Sequence, residues 1–124
     1  MNFEQPLPSA PEAEAAILGA IMLDNALIEP ACALTKPHDY DVPAHRRVFE
    51  AQIALFEKGS LITPALVIEE LRRTKLLTSV GGMGFVSELT RSYAGGTSIE
   101  HYARIVREKA AYRAIIRSAV KTIE

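Results

Sequence analysis

Apolar residues recur at threes and fours along most of the chain, and no window alternates apolar with polar for long. That pattern predicts helices and no sheet. Its longest expression runs from Thr97 to Glu124, without proline or glycine, and Ile99, Tyr102, Ala103, Val106, Ala110, Ile116, Val120 and Ile123 carry the apolar spacing. Thr97 followed by Glu100 fits a capping box at its start. The pattern is still running at Glu124. At ~1.5 Å per residue such a helix is roughly 40 Å long. A body of about 100 residues has a radius of gyration near 13 Å, so the helix is expected to project beyond it. Its apolar stripe then needs a hairpin partner further along a longer chain, another copy of itself, or both.

The preceding residues divide into shorter helices. Residues 1–8, with Pro6 and Pro8, show no periodicity and read as a mobile tail. Ser9-Ala10-Pro11-Glu12 opens a first helix, with Ser9 as cap and Glu12 closing a capping box. Ala13, Ala16, Ile17, Ala20 and Ile21 line its inner face. Gly19 sits mid-helix at a propensity cost of ~1 kcal/mol, which close approach of a neighbouring backbone would offset. Leu27 to Leu34 reads as a short helix, Lys36 to Pro43 as a loop, and Ala44 to Lys58 as a strong helix ended by Gly59. Thr63-Pro64 is a cap followed by proline at the first helical position. Its helix points Val67, Ile68 and Leu71 inward and Glu69, Glu70, Arg72 and Arg73 outward. Gly81-Gly82 precedes a helix from about Gly84 to Ser92, and Gly95-Gly96 separates the body from the long helix. The expected fold is all-α: about five short helices over residues 9–94, then one long projecting arm over 97–124.

At 124 residues and 48% hydrophobic, the chain suits one folded domain. It has no long apolar run that would span a membrane, and Met1 to Pro6 lacks the regions of a signal peptide. Cys32 is the single cysteine, compatible with a reducing compartment, so the expected location is the cytoplasm. Net charge is −1, but the last helix carries six basic residues against three acidic ones, a net of +3, leaving −4 elsewhere. Lys109, Arg113, Arg117 and Lys121 fall at intervals of four, as a basic stripe. Such a stripe is either a solvated face or a contact for acidic protein or nucleic acid.

No catalytic constellation is visible. Gly82-Met83-Gly84 lacks a third glycine and a preceding strand, so it reads as a turn. His38, His45, His101 and Cys32 lack metal-ligand spacing, and His45 reads as structural. Glu69-Glu70 reads as an exposed helix face, since adjacent residues point in different directions.

Several blocks, in order, resemble the N-terminal domain of the bacterial replicative DNA helicase, the DnaB family. They are Pro11-Glu12-Ala13-Glu14 leading to Leu18-Gly19, then Ile21-Met22-Leu23-Asp24. His45-Arg46 with Val48-Phe49, Gly59, and Val80-Gly81-Gly82 with Phe85 and Leu89 follow. The last is Tyr102 to Ala110 with Arg113. Thr63 stands where the family usually has Asp, and both residues cap helices. The Tyr93 to Thr97 joint is richer in glycine than usual.

The resemblance implies a non-catalytic assembly and docking domain of a homohexameric helicase that unwinds duplex DNA 5′ to 3′. It implies no cofactor for this stretch. ATP and magnesium would belong to a RecA-like motor domain that this sequence does not contain, and that domain would make the main DNA contacts. The implied partners are other copies, paired through helical hairpins into a collar, primase, and a helicase loader. On this reading Ile99, Tyr102, Val106, Ile116 and Val120 form a self-association seam. Phe85 lies at the joint between body and hairpin, and Lys109, Arg113, Arg117 and Lys121 offer polar contacts to a partner. A stand-alone helical DNA-binding regulator is the competing expectation, with the basic stripe as its support.

Overall fold

The computed structural model describes residues 9–123. The expected mobile tail, residues 1–8, lies outside the described residues, as does Glu124. Seven α-helices occur among the described residues, and no strand. They are α1 (Pro11–Leu23), α2 (Ile28–Leu34), α3 (Pro43–Glu57), α4 (Pro64–Arg73), α5 (Leu77–Val80), α6 (Gly82–Glu88) and α7 (Ile99–Ile123). Short 3₁₀ turns at Asn25–Leu27, Pro37–Asp39 and Leu89–Ser92 connect them.

The helix starts follow their chemistry, with two corrections of one or two residues. α1 begins at Pro11 after Ala10, and no side chain caps it, so Ser9 is not the cap. Proline at the first position has no amide to satisfy, and the Glu14 amide donates to the Ala10 carbonyl at 3.0 Å. At α7, the Ser98 hydroxyl accepts from the His101 amide at 3.3 Å, so the capping residue is Ser98 and not Thr97. Thr63 caps α4 as expected, accepting from the Leu66 amide at 3.2 Å. The Lys36 to Pro43 stretch is more ordered than a simple loop. The Asp39 carboxylate accepts from the Lys36 amide at 2.8 Å and closes the 3₁₀ turn. The expected helix from Gly84 to Ser92 instead begins at Gly82 and gives way to 3₁₀ at Leu89.

α1 is the centre of the body. It packs against α7, α3 and the Leu89–Ser92 turn. Ile17, Leu18 and Ile21 of α1 join Tyr40, Phe49, Val67, Leu71 and Val86 in one apolar cluster. Every residue of α1 from Ala16 to Met22 is buried. Gly19 shows why a glycine sits in the middle of this helix. A Cβ there would lie 2.0 Å from the Leu89 carbonyl oxygen, so only glycine permits the contact.

Asn25 ties α1 to the entry of α4. Its amide nitrogen donates to the Ile21 and Ile62 carbonyls at 2.9 and 2.7 Å, and its oxygen accepts from the Ile62 amide at 2.8 Å. α3 pairs with α4. On that pair Glu70 is buried at its carboxylate, contrary to the exposed face expected of it, and accepts from Lys58 and Arg73. Those bonds, Arg73 first and Lys58 second, hold its carboxyl at about 2, below the ordinary value of 4.5.

Candidate assembly and docking surface on the terminal helix

α7 changes character along its length. Ile99, Ala103 and Val106 are 3%, 0% and 1% exposed and belong to the body's core. Tyr102 and Ile105 are half-buried and pack against it, and Tyr102 meets the edge of Tyr93 with ring centroids 6.4 Å apart. The expectation of a self-association seam at Ile99 and Val106 is therefore corrected. These side chains are enclosed by α1 and α2 of their own domain, which cover the first half of α7.

Arg113 marks the end of that contact. It is 3% exposed, although it fell on the expected basic stripe. Its Nη2 donates to the Asp39 carbonyl at 2.8 Å and its Nε lies 3.5 Å from the Asp41 carboxylate. Its charge is held inside the fold, so it is corrected from a free partner contact to an internal anchor. Lys109 is half-buried, while Arg117 and Lys121 are exposed.

From Tyr112 onward the large apolar residues are partly or largely exposed. Tyr112, Ile115 and Ile123 are 46%, 64% and 61% exposed, and Ile116 and Val120 are half-buried. At 3.6 residues per turn, this stripe is centred roughly 120° around the helix axis from the Ile99–Val106 face. Of the five expected seam residues, Ile116 and Val120 lie on the open stripe, Ile99 and Val106 in the core, and Tyr102 at the core's margin. Tyr112, Ile115 and Ile123 were not assigned to the seam. Tyr112 lies four residues before Ile116 and Ile123 three after Val120, so both share that row, with Ile115 flanking it, and that spacing was the available signal.

Phe85 stacks on His45 of α3, with ring centroids 5.8 Å apart. The structure thus places it on the α3 side of the body. His45 itself is buried and its Nδ1 lies 2.9 Å from Glu14. The Glu14 carboxylate also accepts from the Asp41 and Val42 amides at 2.7 and 3.2 Å. This buried carboxylate, 1% exposed, was missed by sequence reasoning, because an acidic residue in a helix's first turn reads as a solvent-facing dipole partner. It fixes the segment that presents Asp39 and Asp41 to Arg113.

A cleft of about 500 Å³ opens where α7 leaves the body, between Asp39, Arg46 and the stretch from Arg107 to Arg117. Among the described residues, no group of His, Cys, Asp and Glu could hold a metal, and no helix is long and apolar enough to cross a membrane.

The geometry is that of an all-helical body with a long terminal helix, closed into the core along one row and carrying exposed apolar residues further on. The DnaB-like helicase N-terminal domain model matches residues 6–108, and the chain belongs to that family. The chain is 37% identical over 112 residues to the replicative DNA helicase DnaB of Geobacillus stearothermophilus, a match covering 90% of this chain and 25% of that protein. It is 35% identical over 112 residues to the replicative DNA helicase DnaC of Bacillus subtilis, covering 90% and 25%. It thus spans about a quarter of the length of the curated relatives it matches. Among solved structures, the N-terminal domain of DnaB helicase from Mycobacterium tuberculosis superposes with a TM-score of 0.91 at 28% identity, covering 95% of this chain and 86% of that one. The N-terminal domain of the Helicobacter pylori helicase, described with its interactions with primase, shares the fold at TM-score 0.78 and 19% identity, covering 90% and 86%.

Proposed function

We propose that this chain is the assembly and docking domain of a replicative DNA helicase, and that the open stripe of α7 is its self-association seam. The observation that carries the reading is the solvent-facing row Tyr112, Ile115, Ile116, Val120 and Ile123 on a helix whose other apolar face is already buried. A row of large apolar side chains on a projecting helix is stabilised by covering it, and a second copy presents a complementary row. Family membership supports the pairing of copies within a hexamer whose ATP-driven motor lies in a separate domain. Primase is the docking partner this reading favours, with the helicase loader as a further one. Arg117 and Lys121, exposed on a different side of α7 from the seam, offer polar contacts to a docking partner.

Sedimentation equilibrium over a concentration series tests the seam. The chain self-associates, and Ile115→Asp shifts it to monomer with an unchanged helical circular dichroism spectrum. A chain that is monomeric up to high micromolar, or an Ile115→Asp variant that associates as the parent does, rules the seam out. Pull-down of primase by the parent chain tests the partner separately from the seam.

A further inference from the structure

We propose that the cleft between the Pro37–Asp39 turn, Arg46 and the middle of α7 is a docking site for an acidic peptide segment of a partner protein. Its cavity of about 500 Å³ brings together Arg46, Arg107, Arg113 and Arg117 from two helices that are far apart in sequence. One carboxylate, Asp39, shares the lining with these four guanidinium groups, and it is already engaged by the Lys36 amide at 2.8 Å and by His38 at 3.6 Å. Asp41, behind the lining, is paired with Arg113. Among the described residues, Arg46, Arg107 and Arg117 have no ion pair with a carboxylate, so the cleft keeps a positive lining there.

Two of the arginines are set in place by backbone. Arg113 donates to the Asp39 carbonyl, and Arg46 Nη2 donates to the Tyr40 carbonyl at 2.9 Å. Arg46 Nε is buried and meets no hydrogen-bond acceptor among the described residues. Arg107 and Arg117 are exposed at the rim, without an ion pair among the described residues, and can close on a carboxylate. Planar forks of this kind grip carboxylates through paired N–H donors.

The floor distinguishes a peptide from a nucleic acid strand. It is built of Ala110, Ala111 and Ala114, a shallow apolar strip that accepts side-chain methylenes. Among the described residues His38 is the one ring lining the cleft, and no Phe, Tyr or Trp supplies the successive stacking platforms that single-stranded nucleic acid uses. The site is separate from the Tyr112–Ile123 stripe and does not depend on self-association.

The test is fluorescence anisotropy of the whole 124-residue chain with a fluorescein-labelled hexapeptide of alternating glutamate and alanine. A lysine–alanine hexapeptide is the control probe. The acidic peptide binds, more weakly as salt screens the guanidinium groups. Arg107→Ala combined with Arg117→Ala weakens it about tenfold or more, as expected for loss of two charge-assisted contacts. Both residues are exposed, so the double variant keeps its fold, checked by circular dichroism. Arg91→Ala, on the Leu89–Ser92 turn, leaves binding unchanged. Absence of binding, equal binding by the double variant, or tighter binding of an oligothymidylate that the double variant loses overturns the proposal. The last outcome would make the cleft a nucleic-acid contact instead.

Discussion

From Ile99 to Val106, α7 behaves as a core element: Ala103 is fully enclosed and its neighbours one turn away are nearly so. From Tyr112 to Ile123 it is mostly a surface element, with Ile115 and Ile123 more than half exposed. The two stretches share a helix and the same three-and-four period, but their apolar rows point in different directions. The difference teaches that period alone fixes the helix, while the reach of the body fixes which turns are buried. Arg113 ties α7 to the body through Asp39 and Asp41.

The largest test of this division is Val106→Asp. A carboxylate in that enclosed position lacks a partner, and the loss of stability is about 3–5 kcal/mol, read by urea denaturation. Next is Arg113→Ala, which strands the Asp39 carbonyl and Asp41 and costs about 2 kcal/mol. Hydrogen exchange in that variant should rise from residue 110 onward and stay low near Ala103. An effect confined to the last turn would mean that the body's grip extends further than Arg113.

Glu70→Gln is the reference within the body and costs about 1 kcal/mol, a figure kept small because Lys58 and Arg73 are largely exposed and screened. Its carboxyl sits at about 2 in the fold, below the ordinary 4.5. Its contribution is therefore present above pH 4.5 and fades as pH falls toward 2. Acid titration of stability in the parent and in Glu70→Gln isolates this component by difference. The smallest effect is Ile115→Asp, which changes the stability of the single chain by no more than about 0.5 kcal/mol. If that substitution unfolds the chain as Val106→Asp does, the contrast between the halves fails.

Much of the fold was legible. Helix breaks at Gly59 and Gly81-Gly82 lie where glycine adopts positive φ, at +72°, +113° and +82°. Thr63-Pro64 starts α4 as its chemistry demands, and Gly19 meets a neighbouring backbone. Less was legible at the candidate site. Arg113 looked like one member of a solvated row because its acceptors, Asp39 and Asp41, lie more than seventy positions earlier in the chain. Glu14 was hidden for the same reason, since its partners at Asp41, Val42 and His45 meet it only after α1 and α3 pack. Ile99 and Val120 look equivalent in a periodic row. Their burial depends on how far the body extends, a property of the assembled helices.

The Gly19 contact has a consequence for the joint. The backbone it touches, Leu89, opens the turn that leads through Tyr93 to Ser98 and into α7. A methyl group at position 19 would shift that turn outward and change the angle at which the arm departs. The smallest side chain in the domain thus acts as a spacer gauge, setting the pitch of a rod whose far end lies tens of ångströms away.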